Sequence, residues 1–315
     1  MGRMVDVRRM VVLAAAMLLA LGCSMAAASP PKPKPVAITA AAPSPAVPPV
    51  ESEPSPQPRV YLFRGAMGPI FSTGMDTLAE KLIAAGLKAD VYEFTICRLV
   101  ANRAISTYRE EPAPIVLIGH SMGGLCSIIF AEMMAKENIP VSLVITIDPA
   151  QATGNVPLNV ERFINIYLSD SVLGGGDVVA EPGYRGHYAS FDLKQLTKIT
   201  HINIDKASDL HAQIVEMVTQ LTRVPEQTVG NAVPLRYVVP AGSKVELWDS
   251  GIRLPTRKGD TLERVAALYR VPLWSLAQAN TTLGNLPLAA RQEIVIPRHL
   301  LPAGMDEKAM RDGRQ

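Results

Sequence analysis

PIVLIGHSMGGLCSIIF, residues 114–130, changes its apolar period halfway along. From Ile115 to Ile118 every side chain is apolar and most are β-branched, the pattern of a strand covered on both faces. After Ser121 the apolar residues recur at helical spacing. The change falls on Gly119-His120-Ser121-Met122-Gly123, so a strand ends and a helix begins around a serine set between two glycines. Such a turn strains the serine backbone and lifts Oγ above the sheet. Side chains two residues to either side would strike the neighbouring strand or helix. Ser121 is therefore a candidate nucleophile. The structural alternative is a glycine-rich βα turn with an incidental serine.

Outward from this turn the same alternation repeats. RVYLFRG (59–65), ADVYEF (89–94), SLVITID (142–148) and RFINIYL (162–168) are short runs rich in Val, Ile and aromatics, hence strands. TGMDTLAEKLIAAGL (73–87), ICRLVANRAISTYREE (96–111) and SMGGLCSIIFAEMMAKEN (121–138) carry apolar residues at helical spacing. Strands alternating with helices predict an α/β domain over 59–224, a doubly wound and mostly parallel sheet. Between residues 150 and 200 the sequence is least regular, with Leu173-Gly174-Gly175-Gly176-Asp177 and, further on, Tyr184, Tyr188 and Phe191. Such an excursion over strand ends builds a substrate wall.

The ends of the 315-residue chain differ from this domain. Residues 1–22 place Arg3, Arg8 and Arg9 ahead of a charge-free apolar run, the layout of a secretory signal peptide. Ala20-Leu21-Gly22-Cys23 resembles a bacterial lipobox, which implies lipidation of Cys23 and a membrane anchor. Cleavage within Ala26-Ala27-Ala28 is the alternative and gives a soluble exported protein. Residues 23–58 are dense in proline and alanine and read as an extended tether. Of 31 Lys+Arg and 29 Asp+Glu, residues 1–22 hold three and one, so the remainder carries 28 of each and makes no electrostatic case for nucleic acid. Cys97 and Cys126 read as buried thiols rather than a bridge. The sequence holds no phosphate-binding glycine loop followed by Lys-Ser/Thr and no His/Cys metal cluster, so no cofactor or metal is expected.

VLIGHSMGG resembles the nucleophile elbow of the α/β-hydrolase lipases, esterases and thioesterases. The resemblance covers 59–223 and implies acyl transfer through a serine, a histidine base and a carboxylate, in the chain order Ser, acid, His. It implies oxyanion-hole donors at the backbone of Met122 and, from FRGAMGP, of Ala66, with Arg64 standing where the family has a histidine. Two aspartates end strands in the right order, Asp148 in ITIDPA and Asp170 in NIYLSDS. The Asp148-Pro149 pair favours the first. In KITHINIDKASDLHAQIVEMVTQL (198–221) a strand end leading into an amphipathic helix offers His201 and His211. His201 fits an H-x-x-[LI] pattern, whereas a helix N-terminus would oppose a protonated His211.

Beyond a linker with a hairpin at 225–251, turning at Asp249-Ser250-Gly251, residues 252–298 form a strand-helix-helix-strand unit. Asp260-Thr261-Leu262-Glu263 reads as a capping box. Gly259-Asp260-Thr261-Leu262, Tyr269, Leu276, Asn280 and Ile296-Pro297 resemble the LysM module; Pro255 in the first strand and Arg291 in place of a turn glycine depart from it. LysM modules bind peptidoglycan or other N-acetylglucosamine polymers. The resemblance implies a groove at Gly259, Asp260, Thr261, Asn280 and Thr281, with 299–315 as a tail.

Together these readings imply an exported cell-envelope serine hydrolase in the periplasm or at the outer membrane. It would act on an ester or thioester and dock to peptidoglycan. The rival expectation is a catalytically silent hydrolase scaffold that serves cell-wall attachment.

Overall fold

The computed structural model describes residues 56–221, 232–281 and 287–298. The signal-peptide reading, Cys23, nearly all of the tether and the tail lie outside the described residues. Seven strands form one sheet in the order β2-β1-β3-β4-β5-β6-β7, and every pairing in it is parallel. They are β1 (Arg59–Arg64), β2 (Lys88–Glu93), β3 (Ile115–His120), β4 (Leu143–Ile147), β5 (Arg162–Tyr167), β6 (His187–Asp192) and β7 (Leu235–Val238). Helices α1 (Gly68–Phe71), α2 (Gly74–Ala84), α3 (Cys97–Glu110), α4 (Met122–Lys136) and α5 (Ser208–Leu221) connect them.

The sheet is buried on both faces, which explains the unbroken apolar runs of β3 and β4. Leu62, Ile118, Ile145 and Ile164 pack on one face with Leu78 and Leu82 of α2 and Ile214 and Val218 of α5. Phe63, Leu117, Val144 and Phe163 pack on the other with Ala101 and Ile105 of α3 and Phe130 and Met134 of α4. Each fully buried Leu, Ile or Phe contributes about 1.5–3 kcal/mol. Cys97 and Cys126 are buried free thiols within the second cluster. The chain leaves β1 for the edge strand β2 and returns to β3 on the other side of β1. That reversal opens a crevice between the C-terminal ends of β1 and β3, where ligands bind in open α/β sheets.

The structure departs from the sequence reading at three points. KITHINID forms turns and a short 3₁₀ helix, Ile204–Lys206, while the strand preceding α5 is β6. HYASFD escaped notice because Ala, Ser and His carry little strand preference; burial of all six residues decides it. In the 225–251 stretch, Leu235–Val238 joins the sheet as β7, and no hairpin turns at Asp249-Ser250-Gly251. There Ser250 and Gly251 instead open β8 (Ser250–Pro255), because the Asp249 carboxylate is drawn inward by buried cations.

β8 pairs antiparallel with β9 (Glu293–Arg298), and α6 (Leu262–Tyr269) and α7 (Leu273–Ala279) complete a βααβ module. Its own core is small: Ile252, Leu254, Leu262, Val265, Leu276, Ile294 and Ile296. The module is also seated on the sheet. Gln278 of α7 grips the edge strand at Val238, its Oε1 accepting from Val238 N at 2.9 Å and its Nε2 donating to Val238 O at 2.8 Å. An edge strand's open backbone groups are thereby covered. Phe191, Tyr237, Trp248 and Trp274 form an aromatic cluster across the seam, with the Tyr237 and Trp274 centroids 5.5 Å apart. Beneath it, Asp249 is 0 % exposed and faces Arg298 Nε at 3.3 Å and Arg162 Nε at 3.7 Å. The Ser250 hydroxyl donates to Asp249 Oδ1 (3.2 Å) and so accepts from His187 Nδ1 (2.9 Å).

Candidate active site

β3 ends in the crevice and delivers Ser121 with φ 55° and ψ −121°, a conformation that costs on the order of 1–3 kcal/mol outside glycine. The residue is buried, with 7 % exposure remaining. The two flanking glycines are sterically required. A Cβ on Gly119 would overlap the Gly123 carbonyl, and one on Gly123 would overlap the Phe63 carbonyl of β1. Ser121 N donates to Ile147 O at 3.0 Å, which ties the turn to the end of β4.

The residue after β4 is Asp148, which also has positive φ (39°) and is 0 % exposed. Its Oδ2 meets His201 Nδ1 at 2.7 Å. Its Oδ1 accepts from Leu168 N at 3.0 Å and Gly175 N at 2.8 Å. A carboxylate only accepts, so Nδ1 of His201 carries the proton and Nε2 is left with a lone pair. The three consecutive glycines build the cradle for this carboxylate rather than a free loop. Gly174 lies so close that a Cβ there would overlap the Asp148 carboxylate, and Gly175 takes φ 79°. The run of glycines was the available signal, and its partner was not legible.

On the β1 side, Gly65 passes beside the serine: an added Cβ would stand 2.7 Å from Ser121 Cβ. Gly65 N donates to Ser72 Oγ at 3.0 Å. Among the described residues no acceptor takes the N–H of Ala66 or of Met122, which opens α4 at its positive end. Arg64 anchors this loop. Its Nε donates to Asp76 Oδ2 at 2.9 Å and its Nη1 to Glu93 Oε1 at 2.8 Å, so the guanidinium spans α2 and β2.

The other sequence candidates lie elsewhere. Asp170 is exposed beyond β5, and the described contact of His201 is with Asp148. His211 is not a helix-surface residue: it is buried in α5, its Nε2 donates to Asp205 O at 2.6 Å, and Lys81 Nζ approaches Nδ1 at 3.2 Å. Burial, outweighing the Asp205 carbonyl, pushes its pKa down. His120, inside the elbow, packs against His201 with ring centroids 4.8 Å apart.

In the βααβ module the nominated groove residues divide. Asn280 is buried and committed to the fold, its Nδ2 donating to Leu276 O and Val295 O at 2.8 and 2.7 Å and its Oδ1 accepting from Val295 N at 2.8 Å. Thr261, not Asp260, is the N-cap of α6, accepting from Arg264 N at 3.3 Å. Asp260 instead accepts from Arg257 N at 2.7 Å, closing the turn through Gly259, whose φ is 85°. Thr281 is exposed. Arg291 adopts φ 66°, the left-handed conformation that a glycine would take without strain.

Comparisons with known proteins bear on the two regions unequally. Residues 256–297 match the family model of the LysM domain. No curated protein matches the chain. Among solved structures, a Xanthomonas campestris pv. campestris protein provisionally named a hydrolase of the α/β superfamily is 18 % identical, over 36 % of this chain and 73 % of its own, with a TM-score of 0.27. At that score the likeness decides nothing. The parallel sheet and its elbow rest on the geometry above, and the chain carries a C-terminal LysM domain on that α/β domain.

Proposed function

We propose that this protein is a serine hydrolase of the cell envelope, cleaving carboxylic esters or thioesters while its LysM domain holds peptidoglycan or another N-acetylglucosamine polymer. The observation that carries the reading is the 2.7 Å contact of His201 with buried Asp148, beside a serine in the strained elbow conformation.

In this reading Ser121 Oγ attacks the acyl carbonyl as His201 Nε2 takes its proton. Asp148, fixed by the Leu168 and Gly175 N–H groups, keeps the His201 proton on Nδ1 and stabilises the imidazolium. The N–H groups of Met122 and Ala66 receive the oxyanion. His201 returns the proton to the leaving alcohol or thiol, and water then frees the acyl group by the same steps in reverse. On the LysM side, Gly259, Asp260, Thr261 and Thr281 line the sugar groove. Asn280 acts only by holding β9 in place. Cleavage of a signal peptide and a lipid on Cys23 would place the protein outside the cytoplasm.

A fluorophosphonate probe tests the catalytic part. Covalent labelling of the wild type and its absence in Ser121→Ala is the expected pair of results. A folded wild-type protein that never labels removes the enzyme reading and leaves the silent scaffold.

A further inference from the structure

His120 has a definite hydrogen-bonding polarity. Its Nε2 lies 2.9 Å from the backbone carbonyl of His201, and a carbonyl only accepts, so Nε2 carries the proton. Nδ1 is then bare and accepts from the Ser72 hydroxyl at 2.8 Å. Ser72 Oγ in turn accepts from Gly65 N at 3.0 Å. The result is one directional chain: Gly65 N–H to Ser72 O–H to His120, and His120 N–H to the His201 carbonyl. His120 and Ser72 are each 1 % exposed, so water does not compete for these bonds. Burial first, and the adjacent His201 ring second, lower the His120 pKa to about 4, so the ring stays neutral and keeps one donor and one acceptor.

The chain joins three loops that must be in register. Gly65 precedes Ala66, His120 precedes Ser121, and the His201 carbonyl belongs to a stretch of turns that no strand or helix fixes. We propose that His120 is a positioning residue: it ties the loop bearing the base to the loop bearing the oxyanion donor, across the elbow that bears the nucleophile. The proposal rests on the hydrolase reading above. It goes beyond that reading in giving the elbow histidine and Ser72 a task distinct from proton transfer.

The amides of Gln and Asn separate the two halves of the task. His120→Gln places an N–H near the Nε2 position and retains the bond to His201. His120→Asn places an oxygen near Nδ1 and retains only the bond from Ser72. These two, with Ser72→Ala, are compared with wild type in the full chain by the rate of fluorophosphonate labelling, by kcat and KM on p-nitrophenyl butyrate, and by amide hydrogen exchange over 64–72 and 196–206. Misplacing a catalytic group by about 1 Å costs about 10²-fold, so His120→Asn should lose about that much in kcat with KM little changed, while His120→Gln stays within about tenfold of wild type. Exchange over 196–206 should quicken in His120→Asn but not in His120→Gln, and exchange over 64–72 should quicken in Ser72→Ala. Equal losses in the Gln and Asn variants, or unchanged exchange in all three, overturn the proposal. If wild type fails to label, the hydrolase reading falls by itself, and the exchange pattern alone then decides for or against the tie.

Discussion

The elbow end of the sheet and the LysM domain treat their polar residues differently. At the sheet, Asp148 and His201 bond to each other, and the backbone N–H groups of Leu168 and Gly175 supply the remaining partners of Asp148. In the LysM domain, Asp260, Thr261 and Asn280 bond to the domain's own main chain as turn, cap and strand clamp. The difference follows from size. A large doubly wound sheet is held by the apolar surface it buries, whereas a βααβ unit with a single small core needs its polar side chains to hold its shape. A motif residue in a small domain is therefore a fold residue first.

The largest test of the comparison is Asp148→Asn. An amide at this position can donate to His201 Nδ1 and favour the wrong tautomer, so kcat on an activated ester should fall by about 10⁴-fold with the fold intact. A loss under tenfold would put Asp148 on the same structural footing as Asn280.

How far each region was legible in the sequence bears on where further tests belong. β3 to β5 were legible because burial on both faces leaves apolar runs that local pattern can find, and β1 and β2 because of their Val and aromatic residues. β6 and β7 were not: HYASFD is mixed in composition, and LRYV is four residues set between Pro234 and Pro240, so only tertiary pairing identifies them. The elbow was legible because its glycines are required within five residues. Asp148 was favoured in the sequence by Pro149, but its donors at Leu168 and Gly175 were not legible, since no local pattern places them there. Asn280 was legible as a motif residue but not as a structural one, since its partner Val295 is fifteen residues away.

The seam offers the next test. The chain has two tryptophans, and both Trp248 and Trp274 sit in the aromatic cluster there, so intrinsic fluorescence reports on it directly. Deleting 252–298 exposes Tyr237, Trp248 and the Val238 edge, and should lower the thermal midpoint of the α/β domain by about 10 °C or more. An unchanged midpoint would make the two regions independent. Sacculus pull-downs are therefore better done with Thr281→Ala in the full chain than with the deletion.

Acid should weaken both regions at once. His120 at the site and His187 at the seam are held neutral by burial, each with a pKa lowered from 6.5 to about 4. The unfolded chain takes up protons that the fold refuses, so stability present above about pH 6.5 is lost as pH falls toward about 4. Asp205 opposes this. Burial raises its pKa from 3.8 to about 6, so the fold keeps a proton that the unfolded chain releases, and stability is gained over that window as pH falls. The net loss should be on the order of a few kcal/mol, measured by urea denaturation across the range. His187→Gln should flatten the profile without touching the Ser121 end of the sheet.

A smaller effect is expected within the LysM domain. Asn280→Ala leaves Val295 N–H and C=O without partners and should cost about 1–3 kcal/mol. Thr281→Ala should leave the melting curve unchanged and weaken binding to chitin oligomers. Equal melting shifts in the two variants would erase the division drawn between fold and groove.

Turnover of a short-chain p-nitrophenyl ester by His201→Ala and His211→Ala, side by side, tests the assignment of the base most directly. The contact with Asp148 predicts that His201→Ala abolishes hydrolysis while His211→Ala, once shown to be folded, retains most of it. Full activity in His201→Ala, or loss confined to folded His211→Ala, would contradict it.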